Sequence, residues 1–213
     1  MKVTKLGHSC LLVEMPSPVN RTALFDPGTL STVNVTALQY LDDIFITHAD
    51  YDHFDASLVQ ELVAKFPEVR ITTTPEVVAK LKEQGITASS DAPEGVAFFD
   101  SPHELIRPLY AFDPAQEIGV HYLNKLSHPG DSHSFHETKD VLALPVTAPW
   151  GHPVRATELA LELKPRYIVP IHDWHWSDAA RESNYATMEK LFTQHNITFI
   201  KAVNGEPFVL DDV

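Results

Sequence analysis

The chain has 213 residues, 44% apolar and 21% charged, with a formal net charge of −13 at pH 7. That length is ample for one domain with a proper core, and the acidic balance disfavours a general binder of nucleic-acid backbones. No apolar run approaches a membrane span, and the only apolar run near the start, Leu11 to Val13, is too short for a secretory leader. The single cysteine, Cys10, excludes an internal disulfide. An uncleaved cytoplasmic protein with no membrane partner is therefore expected, as one domain over 1–213.

The first part reads as strands. Lys2 to Leu6, Leu11 to Met15 and Thr22 to Phe25 are short β-like runs, the last ending in an Asp26-Pro27-Gly28 turn. Asp43 to Thr47 is an apolar strand that ends directly at His48. Asp55 is a plausible cap for a helix with Leu58, Leu62, Val63 and Phe66 on one face. A β-branched run from Val69 to Thr74 follows, and Pro75 opens a helix to about Gln84, stopped by Gly85. The second half repeats the logic. Strands are expected at Val96–Phe99, Val120–Leu126, Val141–Val146 and Tyr167–Ile171, the last ending at His172. Helices are expected at Ala156–Leu163 and from about Ser183 to Thr193, with final strands near Ile197–Ala202 and Pro207–Leu210. Two such halves suggest two sheets packed face to face with helices outside, while the pattern alone also admits a doubly wound sheet.

Chemistry concentrates in Thr47-His48-Ala49-Asp50-Tyr51-Asp52-His53, with four potential ligands in six residues just after a strand. Imidazole and carboxylate together suit zinc, manganese or iron. A strand end opening into a loop lets such ligands converge without burying unpaired backbone groups. The twelve histidines also bunch at 121–136 and 172–175.

This stretch resembles the HxHxDH signature of the metallo-β-lactamase superfamily. Other segments, in order, resemble its small metal-dependent hydrolase branch, the relatives of the ascorbate-phosphate lactonases. They are Gly7-His8-Ser9-Cys10, Asp26-Pro27-Gly28, Ser101-Pro102-His103, His128-Pro129-Gly130-Asp131-Ser132, Leu144 to Trp150 and Pro170-Ile171-His172-Asp173. The resemblance implies an α/β fold, an αββα four-layer sandwich with metals at one edge of the sheets. It implies one or two divalent transition metals, with His48 and His103 on the first and Asp52, His53 and His172 on the second. Asp131 would bridge them. The chain departs from the pattern at Asp50, where the family has its second histidine. A carboxylate there hardens the first site toward manganese or iron, or weakens it so that one metal remains; ligation by Asp50 is favoured over an outer role. His8, His128 and Trp150 are candidates for contact with substrate. Cys10 reads as core.

The implied function is hydrolysis by a metal-held hydroxide of a small ester, lactone or phosphodiester, with Asp52 orienting the hydroxide and shuttling a proton. The alternatives are a nucleotide or nucleic-acid phosphodiesterase, a degenerate metal- or ligand-binding protein, and an oxidoreductase built on a di-iron site. The first is favoured by HxDxDH and disfavoured by the charge. The last would need a flavin partner domain. A small-molecule partner is expected, and homo-oligomers are compatible with the chain.

Overall fold

The structure, a computed structural model, describes residues 1–111, 113–211 and 213. In chain order the strands of the first half are β1 (Lys2–Lys5), β2 (Leu11–Met15), β3 (Arg21–Phe25), β4 (Asp43–Ile46) and β5 (Arg70–Thr73). Helix α1 (Ala56–Lys65) joins β4 to β5, and α2 (Pro75–Glu83) follows β5. The second half holds β6 (Val96–Phe99), β7 (Gly119–Tyr122), β8 (Leu126–His128), β9 (Val141–Pro145), α3 (Pro153–Leu163), β10 (Tyr167–Ile171), α4 (Asp178–Thr193) and β11 (Thr198–Phe199). Strand β12 (Pro207–Val209) returns to the first half. One sheet runs β12-β1-β2-β3-β4-β5 and the other β11-β10-β9-β8-β7-β6. The doubly wound alternative is thereby excluded.

Apolar patterning explains the layers. In β2, Leu11, Val13 and Met15 face the space between the sheets, where they meet Phe25, Phe45, Tyr122, Val141 and Val169. Strand β9 is buried along its whole length. Val141 and Ala143 join that central core while Leu142 and Leu144 pack under α3 and α4. A strand covered on both faces is expected to be apolar throughout. Helices α1 and α2 cover the first sheet through Val59, Leu62, Val77 and Leu81. Each such aliphatic side chain, fully buried, contributes about 1.5–3 kcal/mol. The result is the αββα sandwich.

Capping sets the helix starts. The Asp55 carboxylate accepts from Ser57 N and Leu58 N, and Thr74 caps α2 ahead of Pro75. Two helices begin earlier than their apolar spacing predicts. His152 caps α3 and Ser177 caps α4, whose polar first turn (Asp178 to Arg181) carries no apolar stripe. The expected single strand over 120–126 is a hairpin. Leu123 and Asn124 both sit at positive φ, 50° and 54°, and turn the chain between β7 and β8. Among the described residues, no helix is long and apolar enough to cross a membrane.

Candidate metal centre

Three strand ends supply the site. Strand β4 runs parallel to β3 and β5, and β10 and β8 run parallel to β9, so their C-terminal ends open toward one edge of the sandwich. His48, Asp131 and His172 follow these ends, where ligands gather in sheets of this kind. After His48 the chain folds into a tight turn in which His53 N and Phe54 N both donate to Asp50 O. Gly28 lies under that turn. A Cβ at Gly28 would stand 2.0 Å from Asp52 O, so only glycine lets the loop seat. His172 adopts a left-handed backbone, φ 63°, and its N–H donates to His8 O at 3.0 Å. Non-glycine residues in that region persist only where surroundings enforce them.

The imidazoles are oriented by what holds their Nδ1 atoms. His53 Nδ1 lies 2.7 Å from Asp26 Oδ2, and Asp26 is itself fixed by Thr47 N at 2.8 Å and Thr47 Oγ1 at 2.9 Å. His48 Nδ1 lies 3.0 Å from Glu117 Oε2, which also accepts the Asp131 amide at 2.9 Å. His103 Nδ1 is 2.7 Å from Glu104 O. With Nδ1 engaged by an oxygen, the Nε2 lone pair of each ring is left for a ligand. His48 Nε2 and His103 Nε2 are buried and have no hydrogen-bond partner among the described residues. His53 Nε2 and His172 Nε2 stand 3.0 Å apart, both beside Asp131 Oδ1, at 2.8 and 2.6 Å. The other Asp131 oxygen accepts from Trp150 Nε1 at 2.9 Å.

Among the described residues, three sets of donor atoms come within 4.8 Å of one another: His48 with Asp50 and His103, His48 with His53 and Asp131, and His8 with His53 and His172. Converging nitrogen and carboxylate donors, with His48 Nε2 and His103 Nε2 buried and unpartnered among the described residues, suit a divalent cation, so the residues fit the implied metals.

Electrostatics separate the histidines into two kinds. Burial and the neighbouring His53 push His48 down to about 4, and burial pushes His172 down to about 3. His103 is lowered by burial, but the Asp50 carboxylate 3.6 Å away and Asp131 outweigh this and raise it to about 9. Burial also opposes charge on His53, yet Asp131 and Asp26 hold it well above its ordinary value. Burial raises the Asp52 carboxyl, and the His8 imidazole 3.3 Å away together with His53 reverses this, keeping Asp52 ionised.

Of the expected ligands, His48, Asp50, His53, His103, Asp131 and His172 fall in these donor sets. Asp52 lies outside them and lines the cleft, its Oδ2 turned to His8 Nε2; His8 stands with His53 and His172 instead of on the cleft wall. His128 departs from the expected substrate contact. It is wholly buried, stacked on Phe25, with Nε2 at 3.1 Å from Ser9 O. Trp150 lines the cleft. Cys10 is core, and burial pushes its thiol up.

Residues that sequence reasoning left without a role include Asp26, Glu117, Lys5, Asp173 and Tyr185. Asp26 sat in a quoted motif. Glu117 lies in a stretch without periodicity, and no local signal marks it. Lys5 is 1% exposed and bonded to Asp173, next to His172, and Asp173 also takes Tyr185 Oη at 2.7 Å.

Comparison with known proteins agrees with this fold. A family model described as the beta-lactamase superfamily domain matches residues 2–172. Protein Rv0786c of Mycobacterium tuberculosis (strain H37Rv) is 31% identical over 206 residues, covering 91% of this chain and 93% of that protein. Igni18, a metallo hydrolase from the archaeon Ignicoccus hospitalis, has a similar fold with TM-score 0.70 and 17% identity over 99% of both chains. An isothiocyanate hydrolase from Delia radicum gut bacteria is similar with TM-score 0.67, at 17% identity over 99% of both chains.

Proposed function

The chain belongs to the metallo-β-lactamase superfamily, and we propose that this member is a metal-dependent hydrolase of a small ester, lactone or phosphodiester. The observation that carries the reading is the convergence of buried imidazole nitrogens on Asp131, three of the rings having Nδ1 engaged by an oxygen. His48, Asp50 and His103 would hold a first cation and His53 and His172 a second, with Asp131 available as a carboxylate ligand and Asp52 on the cleft beside them. Zinc or manganese suits these donors and iron is admissible. Asp50 in place of an imidazole makes the first position the harder one. A divalent cation there would supply acidified water near neutral pH and polarisation of the substrate's oxygen. Asp52, ionised and tethered by His8, orients the attacking water and passes its proton to the leaving group. Trp150 fixes the second oxygen of Asp131. The lone buried thiol of Cys10 supports a reducing, cytoplasmic setting.

The test is the metal content of protein purified without chelator, paired with an ester, lactone and phosphodiester panel in added manganese or zinc. Near-stoichiometric metal and turnover that disappears in His53→Ala are expected. A metal-free protein inactive under both added metals overturns the reading.

A further inference from the structure

Resting on the metal-dependent reading, we propose that Lys5 is a positioning residue for His172: with Asp173 it closes a buried clamp that sets the His172 backbone and so aims its ring at the second cation. The rings of His48, His53 and His103 are each held by an oxygen on Nδ1. His172 has no such brace. Its Nδ1 is buried and has no hydrogen-bond partner among the described residues. The direction of its ring is left to packing against His8, with ring centroids 4.0 Å apart, and to its own backbone at φ 63°. A histidine keeps that conformation only where its surroundings enforce it.

The enforcing contacts form a ring. His172 N–H donates to His8 O at 3.0 Å, and Asp173 Oδ1 takes the Lys5 ammonium. Lys5 ends β1 in the first sheet and leads to His8, while His172 and Asp173 follow β10 in the second. Two short stretches of chain, one from each sheet, are thus joined twice. Without the Lys5 bond a single link remains, and the backbone at His172 is free to turn about it. Asp173 is anchored from α4 as well. Its Oδ2 accepts from Tyr185 Oη and Arg181 Nε, both at 2.7 Å, and its carbonyl from Trp176 N at 3.1 Å. Lys5 differs from these in reaching across from the other sheet. It is 1% exposed and does not line the cleft, so it acts through Asp173 and not on substrate. Desolvation offsets most of the attraction within a buried ion pair, which adds little stability over an apolar pair of the same volume; registry is its best-attested use.

Two measurements test the clamp, one without metal and one with it. In metal-free protein, amide exchange followed by NMR is expected to be ~10-fold faster at His172 in Lys5→Met than in the wild type, with the Val141 amide, bonded to Lys125 O, unaffected. Zinc affinity, from competition with a fluorescent chelator, is expected to fall ~10–100-fold in Lys5→Met. Lys5→Met/Asp173→Asn orphans no charge and so guards against misfolding; it is expected to lose no more than Lys5→Met, because Lys5 acts through Asp173. Leu81→Ala, which loosens the core under α2, should lower Tm and leave zinc affinity unchanged. Exchange at His172 that is unchanged or matched at Val141, wild-type zinc affinity in a folded Lys5 variant, or an equal loss in Leu81→Ala overturns the proposal. Wild-type protein that takes up neither zinc nor manganese ends the metal reading instead, and the exchange measurement still decides whether Lys5 sets the His172 backbone.

Discussion

The two proposed metal positions are built to different standards. Around the second, His53 and His172 are almost wholly buried, Asp26 braces His53 from behind, and the buried Lys5–Asp173 pair sits next to His172. The first depends on Asp50, whose side chain is 34% exposed, and on His103, which sits in an irregular stretch rather than at a strand end. Ligands fixed by packing and outer hydrogen bonds bind metal without a further cost of ordering; a solvated carboxylate such as Asp50 must be ordered by the metal itself. The second position should therefore fill first and hold longest.

The sharpest way to break that contrast is to delete one histidine from each position. His53→Ala is expected to abolish metal retention and lower activity beyond the ~100-fold that marks loss of an outer partner. His103→Ala should leave one metal per chain in place. Mass-spectrometric metal counting after gel filtration decides this, and equal losses in both variants would mean the positions are not unequal.

A smaller effect is expected from Asp26→Asn, which keeps the shape behind His53 but removes the carboxylate. Metal affinity at the second position should fall by ~10–100-fold. Competition with a fluorescent chelator measures it, and an unchanged affinity would show that Asp26 only braces the fold.

The weakest expected effect is a pH dependence in the metal-free protein. His103 is raised to about 9 and His53 stands well above its ordinary value, so both favour the folded state most below pH about 6.5. That stabilisation is lost as pH rises through about 9. His48 and His172, lowered to about 4 and 3, are already neutral in this window and do not offset the loss. The Tm of chelator-treated protein should drop between pH 6.5 and 9, whereas metal-loaded protein, whose imidazoles are no longer free to titrate, should stay flat. A metal-free Tm that rises over this range would contradict the assigned charges.

What the sequence disclosed and what it withheld divide along physical lines. Residues at strand ends were readable because periodicity breaks there. The run Asp43 to Ile46 stops at His48 and the run Tyr167 to Ile171 stops at His172, so composition and pattern change together. The burial of β9 was legible for the same reason, since that strand is apolar throughout, but the pattern also admitted a doubly wound sheet and the sandwich followed only from the family resemblance. Glu117 was not legible. It acts through two contacts, with His48 and the Asp131 amide, from residues far away along the chain, and a single glutamate in a coil carries no local mark. Lys5 was hidden by the opposite effect. A lysine reads as solvent-facing by residue type even though alternation puts Lys5 on the face it shares with the core residue Val3, and only the distant Asp173 accounts for its burial. The hairpin at Leu123-Asn124 was missed because leucine at positive φ follows no turn rule.

Strand β12 has a further consequence. It is the last strand of the chain, yet it closes the outer side of β1, with Val209 opposite Lys2 and Pro207 opposite Thr4. Every residue placed at the metal centre precedes it. A chain cut short after Lys201 would keep all of those donors but leave the β1 edge bare, its backbone groups open to a strand from another copy. Those last residues cover that edge and add Leu210 to the core, so nicking or trimming there should show first as self-association.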